Sequence, residues 1–168
     1  MLVSLITSKT RIRLLVKFFI NVANTVYLRG LAIEMNENTN AIRKELNNLC
    51  KAGYILRDAS ESKVMYRANT AHPLFDSLQQ LIRKHIGIDN IIAQILERMG
   101  EVTRIFVLGD YAQGINSNNI EIVIEGPNLN ESYIQQLVPK IENEIHREVN
   151  IQITPLFLGE GLLIFENN

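Results

Sequence analysis

Cysteine is nearly absent from this chain of 168 residues: Cys50 stands alone. No disulfide framework can hold such a chain, and a reducing compartment is expected. Long hydrophobic runs are missing too. The longest are of four to five residues, such as Ile105-Phe106-Val107-Leu108, far short of the ~20 needed to span a bilayer as a helix. The apolar stretch Met1 to Thr7 lacks a basic flank and a small-residue cleavage site, so it does not read as a signal peptide. There is no Gly-X-Y period, no low-complexity tract and no internal repeat. What is present is 46% apolar, 7% aromatic and 21% charged residues, the composition of an ordinary globular protein. A soluble cytoplasmic protein without a membrane association is expected.

The net charge of −1 hides an asymmetry. Residues 1–86 hold 13 Lys and Arg against six Asp and Glu, a net of +7, whereas residues 87–168 hold four against 12, a net of −8. A basic half joined to an acidic half points to nucleic-acid binding by one end. The pattern of elements changes at the same place, which divides the chain into domains 1–86 and 87–168.

In the first domain Ile12, Leu15, Val16 and Phe19 recur at helical spacing, predicting a helix from about Ser8 to Ile20. Asn21 to Thr25 breaks it. A second helix is expected over Leu28–Met35, a tight polar turn at Asn36-Glu37-Asn38, and a third helix over 39–52 capped by Asn38 or Thr39 and ended by Gly53. Residues 54–57 and 64–67 read as a hairpin with a polar tip at 58–63, and a last helix runs from Leu74 to Ile86. Helix, helix, turn, helix, hairpin, helix is the order of a winged helix-turn-helix.

In that fold the helix after the turn enters the DNA major groove. Its exposed positions would be Asn38, Thr39, Asn40, Arg43, Lys44 and Asn47, opposite Ile42, Leu46 and Leu49. Arg can donate bidentately to guanine and Asn can pair with adenine, each contact discriminating by about 1–3 kcal/mol. Glu45, the one acid of this helix, should point away from Asn40 and Arg43. Lys63 and Arg67, with Arg57, would put positive charge on the hairpin, where a wing meets DNA backbone or minor groove.

The stretches Leu5–Leu15, Asn38–Leu46 and Tyr66–Leu74 resemble ArsR-type winged-helix regulators of a bacterial group that carry a nucleotidyltransferase-like tail. The likeness covers nearly the whole chain. It implies a homodimer on a pseudo-palindromic duplex, with the helices 8–20 and 74–86 as seams. The metal-sensing branch of that family has paired cysteines near the reading helix. Cys50 is alone there, so metal sensing is not expected.

In the second domain a helix over Ile88–Met99 is followed by the strand Arg104–Leu108, the turn Gly109-Asp110-Tyr111-Ala112-Gln113-Gly114, and the strand Asn119–Ile124. Strand, Gly-rich turn and strand are similar to the minimal nucleotidyltransferase core, whose pattern is G-S-x-A-R-G followed by D-x-D. That likeness implies a triphosphate on the turn and two Mg²⁺ held by three carboxylates. Gly109 and Gly114 are retained, but Asp110 replaces the Ser, Gln113 the Arg, Asn119 the first metal Asp, and Glu121 the second. The later strand, about Val149 to Thr154, has Asn150 and Gln152 but no acid. Mg²⁺ needs hard anionic oxygens in tight geometry, so a catalytically dead domain is expected, with no cofactor and no metal. A helix over Glu131–Arg147 should be kinked or split by Pro139, and Leu162–Phe165 could be a terminal strand. His72, His85 and His146 have no metal or catalytic spacing.

Taken together these features predict an α+β protein, a winged helix-turn-helix followed by a small nucleotidyltransferase-like sheet domain. The expected function is a homodimeric, double-stranded-DNA-binding transcriptional regulator whose second domain dimerises or binds a partner or a nucleotide-like ligand. The competing readings are an active metal-dependent nucleotidyltransferase and a protein-interaction module that does not bind DNA.

Overall fold

The computed structural model describes residues 2–59 and 62–167. The chain is mixed α+β and falls into two compact units, Met1–His85 and Ile86–Asn168. Among the described residues no helix is long and apolar enough to cross a membrane.

The first unit is built around α1 (Lys9–Ile20). Leu14, Leu15, Val16, Phe18, Phe19 and Ile20 are all buried, because consecutive apolar residues wrap every side of the helix from Leu14 on and leave that part no solvent face. The expected outer seam at 8–20 is therefore corrected: α1 is interior. Ser8 caps α1 by accepting from Arg11 N at 3.1 Å and donates to Glu45 at 2.8 Å. β1 (Thr25–Tyr27), α2 (Leu28–Met35) and α3 (Thr39–Lys51) follow. Asn36 adopts a left-handed conformation that ends α2, and Asn38 caps α3 through Asn40 N at 2.7 Å. β2 (Ile55–Asp58) and β3 (Met65–Ala68) form the hairpin, of whose tip Ser60 and Glu61 lie outside the described residues. α4 (Phe75–Ile86) closes the unit. Sequence periodicity missed β1, three residues that pair antiparallel with β3 and make the sheet three-stranded, in the order β1-β3-β2. A strand that short carries no readable alternation.

The cations of α1 neutralise the acids beside them. Arg11 Nε lies 2.8 Å from Glu45, Arg13 Nη1 3.4 Å from Glu37, and the buried Lys17 Nζ 2.9 Å from Glu34. Three of the unit's six acids are thus paired internally, which leaves the positive excess to the other elements.

The second unit has a four-stranded sheet in the order β6-β5-β4-β7. β4 (Arg104–Leu108) runs antiparallel to β5 (Asn119–Glu125) and β7 (Leu162–Glu166), while β5 and β6 (Glu148–Thr154) are parallel, linked through α7 (Glu131–Ile145). One face, with Ile105, Val107, Ile120, Ile122 and Ile124, is buried; α5 (Ile88–Arg98) and α7 supply the unit's apolar helix faces. The short helix α6 (Gly109–Ala112) follows β4. Of the two expected effects of Pro139, a kink or a split, the split does not occur: α7 is continuous through it. Pro139 sits on the exposed side, as does Gln135, whose carbonyl loses its helical partner and can turn to water.

On the other face Glu125 is buried and gathers four donors. Arg104 Nε lies at 2.9 Å and Nη2 at 2.6 Å, Thr103 Oγ1 at 3.1 Å, and Phe157 N at 2.8 Å. The Arg104 guanidinium and the Phe157 amide hold its carboxyl down to about 2. A lowered carboxyl stabilises the fold above the ordinary value and ceases to do so as pH falls through the folded one. The thermal midpoint is therefore expected to drop between pH ~4.5 and ~2, and Glu125→Gln should flatten that slope in a pH series of melting curves. An unchanged slope would assign acid sensitivity to other carboxylates.

Candidate nucleic-acid interface

α3 turns two unlike faces outward and inward. Ile42, Leu46 and Leu49 are buried, whereas Asn38, Asn40, Arg43, Lys44 and Asn47 are exposed and Thr39 is half-buried. Glu45 points inward, as its spacing requires. Burial alone would push its carboxyl up, but hydrogen bonds from Arg11 and Ser8 hold it below the ordinary range. It remains charged and tied to α1, so no acid interrupts the exposed row from Asn38 to Asn47.

Between α3 and the hairpin lies an open groove of about 600 Å³. Arg43 and Asn47 line it from α3, Arg29 from the first turn of α2, and Arg57 and Lys63 from the hairpin. Among the described residues none of these four cations is in an ion pair with a carboxylate, and no acid lines the groove. Two phenols shape it. Tyr66 is buried, and Tyr27 carries Lys63 Nζ 4.5 Å from its ring centroid, an arrangement that holds the ammonium by cation–π attraction. Gly30 explains why the Tyr27 ring can lie against α2: a Cβ there would meet the ring at 3.0 Å.

Several expected site residues fall elsewhere. Asn38 spends its side-chain oxygen on the α3 cap, and Asn40 Oδ1 accepts from Arg43 Nη1 at 3.2 Å. Lys44 is exposed but is not among the groove's lining residues. Arg67 is paired with Leu56 and Thr25, so it projects from the opposite sheet face to Arg57, which pairs with Tyr66. Arg29 was not foreseen. The available signal was its charge at a helix start, where the macrodipole disfavours a cation, with no acid in that turn to offset it. Cys50 is half-buried, and burial pushes its thiol up, against the charge of Arg57.

In the second unit the Gly-rich turn is a single helical turn. Gly109 has φ +58°, a left-handed conformation, and a Cβ there would lie 3.1 Å from Glu121 Oε1. Asp110 is exposed, and its carbonyl accepts from Gln113 N and Ile115 N at 3.0 and 2.8 Å. Gln113 is exposed and Gly114 buried. Tyr111, to which the sequence reading of this motif gave no role, anchors the turn: its ring is buried and its hydroxyl donates toward Asn116 Oδ1 and the Ser117 carbonyl, each at 2.9 Å. Burial pushes that phenol up. Glu121 is flanked in register by Leu108 and Asn150, and Asn119 Nδ2 reaches Glu121 Oε1 only at 3.5 Å. One correction arises on β6, which starts at Glu148, earlier than expected, so an acid does stand on that strand, opposite Asn119. Among the described residues, however, no three His, Cys, Asp or Glu side chains gather as around a metal ion.

No protein-family model, curated protein or solved structure matches the chain. Its function must be argued from the two sites themselves.

Proposed function

We propose that the first unit is a winged helix-turn-helix that binds double-stranded DNA, and that the protein is a transcriptional regulator. The observation that carries this reading is the groove joining α3 to the hairpin, in which Arg29, Arg43, Arg57 and Lys63 meet with no acid among the described residues. Such a surface suits a phosphodiester backbone, whose condensed counterions are released when cations replace them. Arg43 and Asn47 face this groove from α3 and supply donors and an acceptor for base edges, while Arg29, Arg57 and Lys63 supply phosphate contacts. A homodimer on a two-fold site accompanies this reading. With α1 interior, α4 is the helix left for a seam, where Leu81 and, just before the helix, the 49% exposed Leu74 offer apolar surface.

The second unit is read as a nucleotidyltransferase-like domain without transfer activity. Asp110 would set a carboxylate against incoming phosphates, and the face with Asn119, Glu121, Glu148 and Asn150 offers two anions where two Mg²⁺ need three. Selection from a random duplex pool tests the regulator reading. An enriched sequence should emerge that the protein binds more tightly than a scrambled duplex in anisotropy titrations, with affinity falling steeply with salt. Absence of duplex binding even at low salt would overturn it in favour of an acidic protein partner for the same groove.

A further inference from the structure

We infer that the first unit holds a second site, a cleft on another flank of α3 that takes a small organic acid with an apolar body. The cleft encloses about 280 Å³ and is lined from α1, α3 and α4. That is the liquid volume of about nine waters, so the ligand has about ten non-hydrogen atoms. Leu15, Leu49, Leu78 and Ile6 give it apolar walls, and Arg11 and Asn48 give it a polar end. One further wall is rigid: the Tyr54 ring packs on His72 at 4.5 Å. The His72 imidazole is in turn fixed, its Nδ1 accepting from Leu74 N at 3.0 Å and its Nε2 lying 3.2 Å from the Ala52 carbonyl.

The chemical class follows from Arg11. Its Nε is bonded to Glu45, but Nη1 and Nη2 have no protein partner among the described residues. The Asn48 side chain is turned to Glu45, as Arg11 Nε is, so a planar carboxylate would be met by the Nη1 and Nη2 edge of the guanidinium, which can bind it through two parallel bonds. A bulky apolar body fits the remaining walls. A ligand carboxylate at Arg11 competes with Glu45, and Glu45 belongs to α3, between Arg43 and Asn47. Occupancy therefore loosens the tie between α1 and α3 and changes the affinity of the groove for DNA. This regulatory half rests on the DNA reading above; the binding half does not.

Isothermal titration of the full chain with octanoate, and with octan-1-ol as its neutral counterpart, tests the site. Octanoate is expected to bind with a Kd below about 1 mM, and octanol at least about tenfold more weakly, since it lacks the second parallel bond. Ala52→Phe fills the cleft from an exposed position outside the basic groove and should abolish both. Arg11→Lys keeps the charge facing Glu45 but loses the planar edge, so it should weaken octanoate alone. Equal binding of acid and alcohol, or binding that survives Ala52→Phe with the circular dichroism spectrum unchanged, would overturn the assignment. Octanoate should shift duplex affinity in the parent protein and not in Ala52→Phe. Octanoate binding without any shift in the affinity of a duplex the protein does bind overturns the regulatory half alone. If no duplex is bound at all, that half falls with the DNA reading, while the titration still decides the site.

Discussion

Replacing Arg29, Arg57 and Lys63 together by glutamine is expected to weaken duplex binding several-hundred-fold at about 0.1 M salt. Each neutralised phosphate adds about 0.9 to the slope of log affinity against log salt, so three contacts carry about 2.7 units, or roughly 500-fold at that concentration. The loss should be the same for every sequence, because phosphate contacts hold no sequence information. Arg43→Ala should behave differently. It is expected to cost about 1–3 kcal/mol on the preferred sequence and less on a scrambled one, since a base edge is lost rather than a charge alone. Arg67→Gln, on the other sheet face, should change little. Anisotropy titrations at four or five salt concentrations separate these outcomes. A triple variant with the parent's slope would remove the groove from the interface. Loss of preference on replacing Arg67 would move the reading surface to the opposite face of the sheet.

The parts of the groove that could be read in the sequence are those set by local rules. The capped start of α3, its buried row of Ile42, Leu46 and Leu49, and the inward position of Glu45 all follow from 3.6-residue periodicity. The hairpin follows from two short apolar runs around a polar tip. Arg57 and Arg67 look equivalent in such a list, and only the register of β2 on β3 shows that they leave the sheet on opposite sides. Arg29 needed a contact between α2 and the hairpin, set by Tyr27 and Gly30, that no local pattern encodes. The cleft at Arg11 was hidden for the same reason, since its lining comes from α1, α3 and α4. In the second unit, an imprecise strand start concealed Glu148, whose position opposite Asn119 is a matter of pairing. Pro139 taught the converse. A helix-breaking residue was legible, but its exposed side, which decides whether the freed carbonyl can be hydrated, was not.

Phe18→Ala is expected to destabilise the protein by about 3–5 kcal/mol, because a fully buried ring is replaced by a cavity that the helix cannot collapse into. Phe18 is 0% exposed, as are Leu14, Val16 and Phe19 in the same helix. α1 therefore has no face on which the loss can be relieved. Its neighbour Lys17 offers the contrasting case. Lys17 is 4% exposed, but the Glu34 side chain it pairs with keeps 28% exposure and can return to water when the pair is broken. Lys17→Met retains the packing of the stem, and replacing a buried ion by an apolar group of similar volume is often neutral or better. Its cost should stay below about 1.5 kcal/mol. Urea unfolding followed by circular dichroism reads both, and the gap between them is the quantity of interest. If Lys17→Met costs as much as Phe18→Ala, the ion pair rather than apolar packing orients α1. The charge of that helix would then be structural in the same sense as the Arg11–Glu45 bond that ties α1 to α3, and an acid entering the neighbouring cleft would act on the unit's stability as well as on its reading helix.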